Sequence, residues 1–311
     1  MALFQQPHPQ PSAAATAALG SRSLEEAPAW QALHPADPGQ GPLAGDLRLD
    51  RSRDKLLTAF GKATLRDRYL LPGEGYQDLF ARVACAFADD TAHAQRLYDA
   101  MSRLWFMPAT PILANGGTRR GLPISCFLNA VPDSIDGIFS TWTENAQMAA
   151  SGGGIGSYWG DVRSIGEAIS KGGRSGGIMP YLHAMDGLAL AVNQGATRQG
   201  SAAAYLDVHH PEIEEFLDSR KPSGDMNRKC LNLHQGVNLT DAFMRAVRDG
   251  ARFALRSPHD GKVLREVDAR RLWQRILETR LQTGEPFLLF IDTVNAALAP
   301  CQKQLGLKVL A

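Results

Sequence analysis

From about residue 119 onward, short apolar or small-residue runs alternate with amphipathic helices, and this alternation constrains the fold more than any other feature. The runs 200-GSAAAYLDV-208, 234-HQGVNL-239 and 286-PFLLFID-292 have the length and composition of strands. Two helices accompany them. The stretch 133-DSIDGIFSTWTENAQMA-149 sets Ile135, Ile138, Phe139, Trp142 and Ala146 on one face, and 268-DARRLWQRILETRLQTG-284 stops at Gly284. Strands alternating with helices predict parallel β/α units, in an open sheet or a barrel.

The rest of the chain has a different texture. Residues 1–46 hold seven of the 18 prolines and an Ala-rich run, with little apolar periodicity, and are expected to be a disordered tail. A helical unit over 47–118 follows. In it Leu79, Val83 and Phe87, then Leu97, Met101 and Leu104, recur at helical spacing, with Asp90 as N-cap between two helices. The α/β region then occupies 119–311.

Lys plus Arg number 33 against 32 Asp plus Glu, so no global field recruits nucleic acid or an acidic membrane, and any anionic ligand must be held by local features. The N-terminus lacks the basic and apolar regions of a signal peptide, and no apolar run approaches the ~18 residues of a membrane span, so the expected location is cytoplasmic. Cys85, Cys126, Cys230 and Cys301 are scattered without a CxxC pair, which argues against a zinc site or a disulfide framework. Cys85 reads as a buried structural thiol on a helix face, whereas Cys230 and Cys301 lie in polar surroundings without a nearby base. In 207-DVHHPEIEEF-216 the histidines are not one helical turn apart, so no metal is expected there. Pro211 is read as opening a helix whose dipole favours Glu212.

Three glycine-rich segments carry the strongest generic hint of ligand binding. In 151-SGGGIGSYWG-160 the missing side chains suit either a tight turn or a backbone approach to phosphate or ribose; the pattern is neither a dinucleotide fingerprint nor a P-loop. The loops 170-SKGGRSGG-177 and 193-NQGATRQGS-201 add Lys171, Arg174 and Arg198, which suit polyphosphate or a plain solvated loop.

The order of segments, rather than any one of them, carries a resemblance. "MPATPILANGGTRRGLPISCFLNAVPDSI", then "GGGIG", then "NQGATRQGSAAAYLDVHHPEIEEFLDSRK" resembles the large (α) chain of class I ribonucleotide reductase, over roughly Leu47 to Ala311. The resemblance implies an N-terminal helical domain followed by the first half of a ten-stranded α/β barrel, truncated. It implies reduction of ribonucleoside diphosphates to 2′-deoxyribonucleotides by thiol and radical chemistry, with allosteric control of specificity.

Residue by residue, Cys126 matches the first thiol of the pair that becomes a disulfide as the ribose is reduced. A thiol suits this work because it is both a weak acid and a one-electron donor. Thr110, Ser125 and Gly154 match substrate contacts. Asp133, Ser134 and Ile135 match the site of a deoxynucleotide or ATP effector, and Asp133 is also expected to cap the following helix. Arg163 and Lys171 match the effector's phosphate ligands. Gln194 and Arg198, in the loop 193–200, would report effector identity to the substrate base, a coupling on the order of 1–3 kcal/mol.

By the same resemblance the chain itself binds no cofactor. ATP, dATP, dTTP and dGTP would be effectors, and the radical would come from a metal-containing small (β) subunit. Further expected partners are a second large chain and, for the complete enzyme, thioredoxin or glutaredoxin as reductant. An N-terminal ATP-cone domain is expected to be lacking. The sequence ends at "QLGLKVLA", before the family's Ser-Asn-Leu-Cys segment, so the radical cysteine and the second redox cysteine are expected on a C-terminal half, without which this chain is inactive. Two alternatives stay open: a non-catalytic nucleotide-binding regulatory fragment, and part of a cobalamin-dependent class II reductase.

Overall fold

A computed structural model describes residues 43–118, 121–150, 153–170, 172–192 and 201–310. The chain divides into two compact units between Ser125 and Cys126. The predicted tail falls mostly outside the described residues; at its end Ala44–Asp46 form a 3-10 turn, and Leu47 is buried.

The N-terminal unit is helical, with α1 (Ala59–Arg68), α2 (Tyr76–Phe87), α3 (Thr91–Ser102) and α4 (Thr110–Asn115). Thr58 caps α1 by accepting from Gly61 N–H at 3.0 Å, and Asp90 caps α3 by accepting from His93 N–H at 2.7 Å. Leu79, Phe80, Val83, Tyr98 and Met101 form its core. The buried Tyr98 hydroxyl donates to Gln77 Oε1 and accepts from Asp50 N–H, both at 2.9 Å, so its burial leaves no polar atom wanting. Phe87 and Leu104, assigned to the apolar face by spacing, are exposed. The reason at Leu104 is that α3 ends at Ser102, and Leu104 takes a left-handed φ of 61° beyond it.

The C-terminal unit is built on five parallel strands: β1 (Cys126–Ala130), β2 (Gly154–Tyr158), β3 (Ser201–Asp207), β4 (His234–Leu239) and, after an antiparallel hairpin of β5 (Arg252–Arg256) and β6 (Val263–Asp268), β7 (Phe287–Phe290). Their order is β1-β2-β3-β4-β7, and every neighbouring pair is parallel. The intervening helices are α5 (Ile135–Ala150), α6 (Met179–Ala191), α7 (Ile213–Asp218), α8 (Asp241–Asp249) and α9 (Ala269–Thr283), with short α10 (Ile291–Ala296) and α11 (Pro300–Gln304) last.

A strand order that never reverses has a geometric consequence. Right-handed crossovers that always step the same way lay all their helices on one face, whereas a doubly wound sheet reverses and covers both. This is the winding of a barrel segment. Among the described residues β1 and β7 each pair with one neighbour, so the barrel is not closed.

β3 shows the two faces directly. Ala202, Ala204 and Leu206 are buried under the helices, while Ser201, Ala203, Tyr205 and Asp207 between them are half-buried on the other face. The helix side holds the core, in which Val237 and Leu239 meet Met179, Leu182, Phe216, Phe243 and Ile276.

Several local expectations need correction. In α5, Ile138 is buried, but Ile135 is 64% and Phe139 53% exposed. The helix instead turns Thr141 and Asn145 inward, because Asn129 and Ser157 point up from the sheet: Asn145 accepts from Asn129 Nδ2 at 2.7 Å and donates to Ser157 Oγ at 3.1 Å. The cap of α5 is Ser134, whose Oγ accepts from Gly137 N–H at 3.0 Å, and not Asp133. Helix α7 begins at Ile213, leaving Pro211 outside it. Cys230 lies in the core rather than in polar surroundings, and burial pushes its thiol up to about 12. α9 does end at Gly284, which adopts φ +81°.

Candidate active site on the open face of the sheet

Cys126 opens β1 and is exposed. The parallel register sets it opposite Gly154, and Gly154 opposite Ser201, so the three residues form one row across the first three strands. Side chains in register on parallel strands share a face, here the one without helices. The next row is Leu128, Gly156 and Ala203, and the third is Ala130, Tyr158 and Tyr205.

Two glycines on this face, Gly156 and Gly236, are required by close approach. A Cβ at Gly156 would stand 2.4 Å from Leu128 Cδ2, and one at Gly236 would stand 2.4 Å from the Tyr205 ring. Glycine at 156 thus lets the Leu128 side chain lie across β2, and Tyr205 leans across the space that Gly236 vacates. Burial raises the Tyr205 phenol, and Cys126 adds to the rise electrostatically.

Polar groups gather at both ends of this face. At the C-terminal end Tyr158 donates to Asp207 Oδ2 at 2.5 Å, and Asn238 Nδ2 donates to Asp207 Oδ1 at 3.0 Å. Burial, then the Asp207 charge, holds the Tyr158 phenol protonated. At the start of β4, His234 Nδ1 meets Glu285 Oε1, and Glu285 Oε2 accepts from Gln235 N–H at 2.9 Å. The sequence reading missed Tyr205, Tyr158 with Asp207, and His234 with Glu285. Period-two alternation in 201-SAAAYLD-207 is the signal that could have placed Tyr205 and Asp207 on the face of the thiol.

The remaining predicted residues divide among different places. Ser125 and Thr110 belong to the helical unit, where the Thr110 hydroxyl lies 3.1 Å from that of Tyr69. Asp133 and Arg163 come together: Arg163 Nε donates to Asp133 Oδ2 at 2.7 Å, and Arg163 N–H to Oδ1 at 3.2 Å. This pair flanks the N-terminus of the 16-residue α5, where Ser134 caps and Ile135 is exposed. A helix N-terminus beside a guanidinium favours anions. Lys171, Gln194 and Arg198 lie outside the described residues.

The motif that invited a metal reading is used structurally. His210 Nδ1 accepts from Glu212 N–H at 3.1 Å, which leaves Nε2 to donate to the Val162 carbonyl at 3.0 Å. Both ring nitrogens are satisfied in the neutral form, and burial pushes the imidazole down to about 4. No group of three or more metal-binding side chains occurs among the described residues. Among them, too, no helix is long and apolar enough to cross a membrane.

The all-alpha domain of ribonucleotide reductase matches residues 55–121, and the ribonucleotide reductase barrel domain matches 124–306. The ribonucleoside-diphosphate reductase large subunit of Invertebrate iridescent virus 6 is 40% identical over 273 residues, covering 85% of this chain and 28% of its own. The corresponding alpha subunit of Helicobacter pylori strain J99 is 34% identical over 277 residues, covering 78% of this chain and 35% of its own. Among solved structures, the class Id ribonucleotide reductase alpha subunit of Actinobacillus ureae superposes with a TM-score of 0.68 at 29% identity, covering 85% of this chain and 45% of its own. The chain therefore spans between about a quarter and a half of the length of these relatives.

Proposed function

Because the chain belongs to the ribonucleotide reductase family, matching its all-alpha and barrel domains, we propose that it contributes to a ribonucleoside-diphosphate reductase site, with Cys126 as one of two redox thiols. The observation that carries this reading is the exposed Cys126 at the head of an open row with Gly154 and Ser201. A nucleotide laid on this face would meet the sulfur beside a position that has no side chain.

The reaction balances with one further thiol. The 2′ C–OH bond of the ribose breaks and a C–H bond replaces it; the hydroxyl leaves as water, and Cys126 with its partner thiol becomes a disulfide, giving up two electrons and two hydrogens. In this reading the second half of the barrel provides the partner thiol and the radical cysteine, and a metal-containing small subunit generates the radical. The exposed Phe287 and Phe290 on β7, which pairs with one neighbour among the described residues, suit cover by that second half. A second copy of this chain and a thioredoxin-type reductant complete the assembly.

The Asp133–Arg163 pair at the start of α5 is proposed as the effector site, taking the phosphates and ribose of a deoxynucleotide or ATP. Assembly of the whole barrel with a radical subunit tests the reading. Conversion of CDP or ADP to its deoxy product is expected. An assembled complex that binds effectors yet never reduces a ribonucleotide would favour a purely regulatory nucleotide-binding role instead.

A further inference from the structure

The segment following Arg163 folds back on itself as a hairpin whose two stems are joined at the neck by one buried carboxylate. Glu212 is 4% exposed and occupies the N-cap position of α7. Its Oε2 accepts from Ile165 N–H at 3.0 Å and from Ile178 N–H at 3.1 Å. These amides stand on opposite stems. Gly177 permits the approach: it takes φ +77°, and a Cβ there would lie 2.4 Å from Glu212 Oε1.

Beyond the neck the stems hold each other. Gly166 N–H donates to Ser175 O at 2.9 Å, and Ser175 N–H to Glu167 O at 2.8 Å. Arg163 bridges outward, with one guanidinium nitrogen donating to Ala168 O at 2.6 Å and another to Asp133. A buried carboxylate is costly unless its bonds are specific, and Glu212 Oε1 is buried without a hydrogen-bond partner among the described residues. The position therefore retains an expensive group whose bonds close one hairpin.

We propose that Glu212 is a positioning residue for the effector nucleotide: by tying Ile165 and Ile178 to one oxygen it fixes the hairpin that orients Arg163 toward Asp133. This rests on the effector reading of Asp133 and Arg163 above. The relation is indirect, since Glu212 itself touches only backbone on the hairpin.

The test compares the unaltered chain with Glu212→Ala and Glu212→Gln, measuring dTTP binding by calorimetry and amide hydrogen exchange at Ile165 and Ile178. In Glu212→Ala, exchange at both amides accelerates and the dTTP Kd rises about tenfold. Glu212→Gln keeps a carbonyl oxygen for the two amides and holds the Kd within about threefold of the original. Should Glu212→Ala fail to fold, Glu212→Asp, too short to reach both amides, carries the same expectation. A folded Ala or Asp variant that binds dTTP as tightly as the unaltered chain overturns this proposal alone. An unaltered chain that does not bind dTTP overturns the effector reading and this proposal together.

Discussion

Cys126 and Gly154 stand directly opposite each other at the head of the first parallel strand pair, so an exposed thiol adjoins a position without a side chain. Ser201 extends the row onto β3. The relationship is set by backbone register, which a one-residue slip would destroy by turning the sulfur toward the helices.

The thiols should differ sharply in reactivity. Cys126 and Cys301 are exposed, whereas Cys230 is in the core with its thiol raised to about 12 by burial. Iodoacetamide under native conditions is expected to label Cys126 and Cys301 first and Cys230 only after unfolding, as read by peptide mass spectrometry. Native labelling of Cys230 at the rate of Cys126 would contradict the core placement.

Tyr205 and Gly236 should behave as a coupled pair. A methyl at Gly236 collides with the Tyr205 ring, so Gly236→Ala is expected to cost about 1–3 kcal/mol in urea unfolding. Tyr205→Ala removes the obstacle, and the double variant should lose less than the sum of the two. Strict additivity would show that the ring does not occupy the gap.

The legibility of the fold followed the range of the interactions involved. The strands over 201–207, 234–239 and 287–290 and the stop at Gly284 were readable because side-chain period and left-handed caps act within a few residues. The burial of Asn145 was not, since it depends on Asn129 and Ser157 arriving from two other strands. Asp133 was misread as a cap for a related reason: its partner Arg163 is 30 residues away. In the candidate site, Cys126 and Gly154 were singled out through the family resemblance, and the strand register sets them opposite each other. Glu285 becomes a neighbour of that face only through sheet order, which sets His234 beside Ala203.

The Asp133–Arg163 pair predicts a binding phenotype. Arg163→Ala removes the guanidinium at the start of α5 and strands a carboxylate that is about three-quarters buried. Effector affinity for dTTP is expected to fall by about tenfold or more. Retention of full affinity would move the effector site elsewhere.

His210 and Glu212 should oppose each other in the pH dependence of stability. His210 titrates near 4 when folded against 6.5 otherwise, so its contribution is present above pH 6.5 and lost as pH falls toward 4. Glu212 is raised from 4.5 to about 7, so the folded state binds the extra proton, and its contribution is present below pH 4.5 and lost as pH rises toward 7. Each amounts to about 3 kcal/mol, and between pH 4.5 and 6.5 the two slopes cancel. Urea unfolding across that range should therefore be nearly flat, whereas Glu212→Gln should lose stability steadily on acidification. A flat profile in Glu212→Gln would contradict the assignment.

The most direct measurement follows the sulfur of Cys126 through one turnover. In the reconstituted assembly, supplied with radical subunit and CDP but no external reductant, each deoxynucleotide formed should convert one Cys126 thiol into a disulfide, seen as loss of alkylation at that peptide. Product formed while Cys126 remains fully alkylatable would contradict the account.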